Sequence, residues 1–197
     1  MAISIRSFGG MEHRIKIQKT ARYFTRGENI TDADYIWFVL HGYGQLAQYF
    51  IRKFSALDPL RHFVVAPEGL HRFYLKGSSG RVGASWMTKE ARLDDIDDYV
   101  NYLNEVYDAV RIQNPSAKVV GFGFSQGVAT LMRWMAMGGK PFDAGVMWAG
   151  AYPPDLAPVH VHPSMKNTAL FAAVGDEDPF VTEENVQREK TQHEAWK

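Results

Sequence analysis

The sequence predicts an α/β protein with a mostly parallel sheet, and three observations support this fold class. Short apolar runs typical of buried strands alternate with longer segments typical of helices. One such run leads into a glycine-flanked turn and then an apolar helical segment, at residues 118–132. Glycine-rich and acidic loops follow the ends of strands, where ligand sites of such sheets lie. We therefore expect helices on both faces of the sheet.

The first strands are predicted from apolar patterning. Residues 14–18 alternate polar and apolar side chains, as a strand with one solvated face does. With residues 3–6 they predict an antiparallel pair at a sheet edge. Residues 35–40 and 63–66 are continuously apolar, which predicts two strands buried on both faces.

The rest of the chain predicts further helices and strands around a long loop. Residues 45–57 and 89–113 each predict a helix. Residues 67–88 are rich in Gly, Ser and aromatic residues, which predicts an irregular loop of a kind that is usually functional or flexible. The apolar runs at residues 145–148 and 169–174 predict two more buried strands.

Length, charge and composition restrict the function classes. The chain has 197 residues, zero formal net charge and no cysteine. That length suits a single domain, residues 1–197, and zero net charge argues against nucleic acid as a partner. Without cysteine there are no disulfides and no thiolate nucleophile. No apolar run approaches the length of a membrane span and no signal peptide is recognised, so a cytoplasmic location is expected.

The segment Gly-Phe-Ser-Gln-Gly at residues 123–127 carries the most chemistry. It matches the G-x-S-x-G pattern and lies between a predicted strand and a predicted helix, the context of a nucleophile elbow. In such a turn Ser125 projects from a strained backbone with its hydroxyl exposed. The backbone amide of Gln126 then faces developing negative charge at the helix N-terminus. This pattern predicts an enzyme.

Two other loops would share the sheet edge with Ser125. His-Gly-Tyr-Gly-Gln at residues 41–45 follows the first buried strand, and the backbone amide of Tyr43 is a candidate second oxyanion donor. The loop at residues 175–181 follows the last predicted strand and carries three acidic residues. A serine hydrolase needs one carboxylate to orient its base. Spacing alone does not rank Asp176, Glu177 and Asp178.

These motifs, taken in order, resemble the phospholipase/carboxylesterase group of α/β-hydrolases, which includes the acyl-protein thioesterases. The similarity runs through His-Gly-Tyr-Gly (41–44), Pro-Glu-Gly (67–69), Ser-Trp-Met (85–87), Gly-Phe-Ser-Gln-Gly (123–127) and Asp-Pro-Phe-Val (178–181). It implies an α/β-hydrolase fold and hydrolysis of carboxylic esters or thioesters. The implied substrate is a small ester or acyl compound, with no cofactor and no metal.

The resemblance also implies residue roles. Ser125 becomes the nucleophile and Asp178 the acid, and the backbone amides of Tyr43 and Gln126 become the oxyanion hole. It places residues 85–87 near the acyl pocket, where relatives tend to carry Trp-Phe-Asp instead. Loop position predicts a substrate pocket lined by His71, Phe73, Trp86, Met87 and Tyr152.

The resemblance assigns no residue of this chain as the catalytic base. Relatives place the catalytic histidine beyond one further helix and strand after the acid, but only nineteen residues follow Asp178. A helix from Thr182 to Trp196 would fill that length, so the domain is expected to be C-terminally incomplete, with its last strand and histidine beyond Lys197. His193 is a weaker candidate, since it would lie late in that helix.

Two alternatives to the esterase interpretation remain open. A relative that kept the pocket and lost its base would be a noncatalytic ligand-binding protein. A dienelactone-hydrolase interpretation is weaker, because that chemistry usually has cysteine at the elbow. The sequence does not separate ester from thioester substrates and does not predict an oligomeric state.

Overall fold

The computed structural model of the chain describes residues 10–156, 162–175 and 183–195. These residues form eight strands and four α-helices. The strands are β1 (Tyr23–Arg26), β2 (Tyr35–Leu40), β3 (His62–Pro67), β4 (His71–Tyr74), β5 (Val82–Ser85), β6 (Lys118–Phe124), β7 (Ala144–Trp148) and β8 (Ala169–Ala173). The helices are α1 (Ala47–Phe50), α2 (Arg92–Arg111), α3 (Gln126–Met137) and α4 (Glu183–Ala195).

Six of the strands form one mostly parallel sheet. Their order is β1-β3-β2-β6-β7-β8, with β1 antiparallel to β3 and every other neighbouring pair parallel. The register sets Leu40 beside Gly123 and Phe124 beside Trp148. Because β2, β6, β7 and β8 point the same way, the loops that follow them meet at one edge, as the sequence predicts.

Helices cover both faces of this sheet. On one face α2 and α3 enclose the larger core, where Phe38 of β2 stacks on Tyr107 and meets Trp134 edge-on. Burying one such aromatic side chain stabilises the fold by about 2 kcal/mol. On the other face Val39 packs in a second buried cluster with Phe50 of α1. The predicted layering is therefore confirmed.

The strand predicted at residues 169–174 forms as β8 but is not buried. Phe171 is 58% exposed and Val174 is 49% exposed. Trp148, on the neighbouring strand β7, is 50% exposed. Among the described strands β8 is the sheet edge, so β7 alone covers it from the side. The strand is confirmed and its predicted burial is wrong.

The strand predicted at residues 14–18 is also wrong. Those residues form no regular structure, and Ile15 and Ile17 are 87% and 79% exposed. The edge beside β3 is already occupied by β1, so this alternating segment has no described strand to pair with. The partner predicted for it, residues 3–6, lies outside the described residues.

The middle of the chain is more regular than predicted in one place and less in another. The irregular loop expected at residues 67–88 contains an antiparallel hairpin, in which β4 pairs with β5. The helix expected at residues 45–57 is the short α1 followed by a 3-10 helix at Ile51–Phe54. The long helix α2 forms as predicted.

Among the helices of the described ranges, none has the length and apolar character needed to cross a membrane.

Candidate active site

Ser125 lies in the sharp turn between β6 and α3. Its backbone has φ 53° and ψ −116°, a conformation that residues with a side chain rarely adopt. The Ser125 amide donates to the Trp148 carbonyl (3.0 Å), and the Ser125 carbonyl accepts from the Val128 amide (3.0 Å). Strain of this kind persists only where the surroundings hold it, and it clusters at functional sites.

The glycines on either side of Ser125 are required by close backbone packing. A Cβ on Gly123 would come 2.5 Å from the Gly127 carbonyl oxygen. A Cβ on Gly127 would collide with the carbonyl oxygens of Leu40 and His41. Backbone atoms cannot move aside cheaply, so only glycine lets β6, α3 and the loop after β2 approach this closely.

The loop after β2 lies against the Ser125 turn. A Cβ on Gly42 would sit 3.2 Å from the Ser125 Cβ. The Gly42 amide donates to Gln45 Oε1 (2.9 Å), and the Gly44 amide donates to the Ala84 carbonyl (2.8 Å). The amide of Tyr43, between them, has no hydrogen-bond partner among the described residues.

Gln126 is the first residue of α3, so its backbone amide points out of the helix N-terminus. Its side chain binds the loop that follows β5. Gln126 Oε1 accepts from the Trp86 amide (3.2 Å), and Nε2 donates to the Met87 carbonyl (2.9 Å). Ser85 Oγ donates to the same Met87 carbonyl (2.8 Å). The sequence motif predicts a role for the Gln126 backbone amide and does not predict these side-chain contacts.

His41 is fully buried behind this loop and uses both ring nitrogens. Nδ1 is 2.8 Å from the Gly42 carbonyl oxygen, and Nε2 accepts from the Gly69 amide (3.0 Å). Burial lowers the pKa of His41 below its ordinary value, because the enclosed ring cannot be hydrated when charged. Glu68, the nearby carboxylate, opposes that shift more weakly.

The residues predicted to line a pocket fall into two groups, of which the first lies near the oxyanion loop. Phe73 on β4 packs its ring 5.1 Å from that of Tyr43, and the Tyr43 side chain is 60% exposed. His71 Nε2 pairs with Asp95 Oδ1 at 3.0 Å, which ties β4 to the start of α2.

The second group lies deeper. Trp86 is fully buried, and its indole N–H donates to the His41 carbonyl (2.8 Å). Tyr152 is buried after β7 as part of the larger core, and its hydrogen bonds are to α4. Its hydroxyl lies 2.6 Å from His193 Nδ1, and its amide donates to Glu189 Oε2 (2.9 Å). A role for these two side chains in binding substrate stays a prediction.

An ion-pair cluster beside Met87 anchors the loop after β7. Arg133 of α3 is buried and donates to both Asp155 oxygens, at 3.2 and 2.6 Å. Arg92 pairs with the same carboxylate at 3.1 Å. The Arg133 hydrogen bonds lower the pKa of Asp155 to about 2. Arg133 Nη1 also lies 3.5 Å from the Met87 sulfur, so the cluster contacts the predicted pocket.

Asp178, the predicted acid, lies outside the described residues. β8, the last described strand before it, is parallel to β7 and β6, so its carboxyl end lies at the same sheet edge as Ser125. Several described histidine rings bond elsewhere: His62 to Trp37, His71 to Asp95 and His193 to Tyr152. Within the described ranges, no group of three or more His, Asp or Glu residues could hold a metal ion.

Comparison with solved structures identifies the architecture. A phospholipase/carboxylesterase from Dyadobacter fermentans superposes with a TM-score of 0.65 at 21% identity, covering 91% of this chain and 84% of that one. A Bacillus cereus carboxylesterase gives 0.62 at 15% identity, covering 89% and 80%. Acyl-protein thioesterase 2 from Zea mays gives 0.61 at 14% identity, covering 90% and 86%. The chain has the α/β-hydrolase fold.

Sequence comparisons add nothing to this fold assignment. No protein-family model matches the chain, and a search of curated proteins finds no match. The structural neighbours nevertheless include a phospholipase/carboxylesterase and an acyl-protein thioesterase, which agrees with the resemblance drawn from the motifs. The similarity covers about nine-tenths of the chain. In this fold Ser125 lies in the turn between β6 and α3.

Proposed function

We propose that the chain is a serine hydrolase that cleaves carboxylic esters or thioesters through an acyl-Ser125 intermediate. The observation that carries this proposal is the strained Ser125 turn, with φ 53° and ψ −116°, pressed against the loop after β2. The Tyr43 amide lies in that loop and the Gln126 amide begins α3. Both are placed to stabilise charge that develops beside Ser125.

The reaction would proceed in two steps. Ser125 Oγ attacks the carbonyl carbon and passes its proton to a histidine base, while the carbonyl oxygen becomes an oxyanion held by the Tyr43 and Gln126 amides. The tetrahedral intermediate collapses, and the alcohol or thiol leaves with the proton from the base. Water then attacks the acyl-Ser125 ester by the same route and releases the carboxylic acid. Asp178 would orient the base.

Aromatic side chains near the oxyanion loop favour a substrate with an apolar group. The packed rings of Tyr43 and Phe73 present apolar surface beside the candidate oxyanion donors. Apolar lining with a few placed polar groups is typical of small-molecule sites. The named functions of the structural neighbours, carboxylesterases and a thioesterase, support the same substrate class.

One observation favours a second candidate function. The His62 ring accepts from the Trp37 indole N–H and the His71 ring pairs with Asp95, so these two rings are held away from the role of base. A protein with the pocket and no base would bind acyl ligands without hydrolysing them. Serine reactivity separates the two candidates, because an unassisted hydroxyl is a poor nucleophile.

The proposal is tested by measuring intact mass after exposure to a fluorophosphonate probe. The hydrolase proposal predicts a single adduct on the parent chain and none on Ser125→Ala. Ser55→Ala is the matched control, because it removes the hydroxyl of an exposed serine that is distant from Ser125 in the sequence. This variant should label as the parent does. A folded parent chain that gains no adduct would contradict the hydrolase and favour ligand binding.

A further inference from the structure

The Tyr43 amide and the Gly42 carbonyl belong to the same peptide group. A peptide group is planar and trans, so its C=O and N–H point in opposite directions. Any group that fixes the Gly42 carbonyl therefore also fixes the direction of the Tyr43 N–H. The direction of the Tyr43 N–H, the candidate oxyanion donor, therefore depends on the groups that hydrogen-bond to the Gly42 carbonyl.

Two groups hold that carbonyl. His41 Nδ1 lies 2.8 Å from the Gly42 oxygen, and the Gln45 amide donates to the same oxygen at 3.2 Å. Gln45 Oε1 in turn accepts from the Gly42 amide at 2.9 Å, so both peptide groups around Gly42 are restrained. The contact to His41 is the shorter of the two to the carbonyl.

The protonation state of the His41 ring follows from its partners. The Gly69 amide can only donate, so Nε2 must accept and carries no proton. The Gly42 carbonyl can only accept, so Nδ1 must carry the proton. The ring is therefore the neutral Nδ1–H tautomer, held at 0% exposure with Trp86 packed 5.0 Å away.

We propose that His41 is a positioning residue that, as the neutral Nδ1–H tautomer, clamps the Gly42–Tyr43 peptide and aims the Tyr43 amide at the oxyanion. This inference rests on the proposed serine-hydrolase function. The ring does not touch the substrate; it acts through the peptide in front of it. Simple core packing would need only the shape of the ring, whereas this role needs the donor at Nδ1.

Two variants of His41 test the Nδ1–H donor independently of the acceptor at Nε2. Asn places its side-chain amide near the position of Nδ1, so His41→Asn keeps a donor for the Gly42 carbonyl. Gln reaches the position of Nε2, so His41→Gln keeps a partner for the Gly69 amide and loses that donor. Steady-state hydrolysis of p-nitrophenyl acetate by both variants and the parent is the measurement.

The proposal expects kcat of His41→Gln to fall on the order of 10²-fold, as when one oxyanion donor is lost, with KM changed only a few-fold. His41→Asn should recover most of that kcat. Equal loss in both variants, in proportion to their thermal unfolding midpoints, would overturn the proposal. A parent chain that neither hydrolyses the ester nor reacts with the fluorophosphonate would instead contradict the proposed function itself.

A second measurement does not depend on turnover. Nitrogen-15 NMR of the histidine rings in the intact chain distinguishes the two neutral tautomers. The proposal expects His41, assigned by its absence from the His41→Asn spectrum, to carry its proton on Nδ1. A proton on Nε2 would overturn the proposal, because the Gly42 carbonyl would then have no donor from the ring.

Discussion

The two sides of the Ser125 turn are built differently. On the side of the candidate oxyanion donors, the loop after β2 pairs with Ala84 of β5 through the Gly44 amide and the Gln45 carbonyl. Gln126, at the start of α3, accepts from the Trp86 amide just after β5. On the other side, toward β7 and β8, Trp148 and Phe171 are at least half exposed. One side is a closed network and the other is open to solvent.

The difference follows from position in the sheet. β2 and β6 have a strand on each side and helices on both faces, so the loops after them are packed from several directions. Among the described strands β8 has one neighbour. The candidate oxyanion donors, the Tyr43 and Gln126 amides, therefore lie in loops that local contacts hold in place. Preorganisation of this kind is what makes such donors effective.

Among the variants next to Ser125, the largest effect is expected at a glycine on the closed side. Gly127→Ala would push a Cβ into the carbonyl oxygens of Leu40 and His41, so the free energy of unfolding should fall by about 3 kcal/mol. Gly145→Ala on β7 is the matched control. Its Cβ would meet the flexible ends of Met135 and Leu170, and the loss should stay below about 1 kcal/mol. Equal losses in urea denaturation would show that the two sides are packed alike.

A somewhat smaller effect is expected from the Arg133–Asp155 pair, which links α3 to the loop after β7. Asp155→Asn leaves the Arg133 guanidinium buried without its counter-charge, so unfolding free energy should fall by about 2–3 kcal/mol. Asp94→Asn removes the partner of Arg14 in an exposed pair and should leave the unfolding free energy almost unchanged. Similar values for both variants, measured by chemical denaturation, would contradict the assignment of the buried pair.

His41 predicts a pH dependence of stability on the closed side. Its pKa is lowered in the folded chain from an ordinary value of 6.5, so folding favours the neutral ring. The stability that this provides is fully present above pH 6.5 and is lost as pH falls from there toward the lowered pKa. Glu68 is the carboxylate that faces the ring.

This dependence is measured by comparing unfolding free energies of the parent and His41→Asn between pH 7.5 and 5, a range of about two units around the ordinary value. The parent should lose more stability on acidification than the variant. Parallel curves would mean that His41 does not need to be neutral.

The smallest effect is expected on the open side. Phe171→Thr replaces a side chain that is 58% exposed with a β-branched residue suited to a strand, and stability should change by less than about 0.5 kcal/mol. Phe38→Ala, in the core at 0% exposure, is the contrasting variant and should cost about 3–5 kcal/mol. A loss at Phe171 comparable to that at Phe38 would show that its ring is covered in solution.

The sequence predicts the elements whose signal lies in a continuous run of residues. β2 and the turn at Ser125 are of this kind, since an apolar run and a glycine-flanked serine are both local patterns. β4 was missed because its residues, His71–Tyr74, show neither alternation nor a continuous apolar run. Residues 14–18 alternate polar and apolar side chains but have no described strand to pair with. Strand pairing depends on the tertiary structure, which a local pattern does not contain.

The same distinction applies to the candidate site. The positions of Ser125 and the Tyr43 amide follow from motif and loop order. The side-chain bonds of Gln126 to Trp86 and Met87 join residues about forty positions apart, which no local pattern contains. His41 bonds within its own turn, at the Gly42 carbonyl. Its second bond, to the Gly69 amide, fixes the tautomer and depends on how β2 and β3 pack.

The most direct test of the account is a crystal structure of the chain after reaction with a fluorophosphonate. We predict phosphorus bonded to Ser125 Oγ and one phosphonyl oxygen at about 2.7–3.1 Å from both the Tyr43 and Gln126 amide nitrogens. An adduct on Ser125 whose oxygens bond to neither amide would contradict the proposed oxyanion hole, and an adduct on another residue would contradict the account of Ser125 itself.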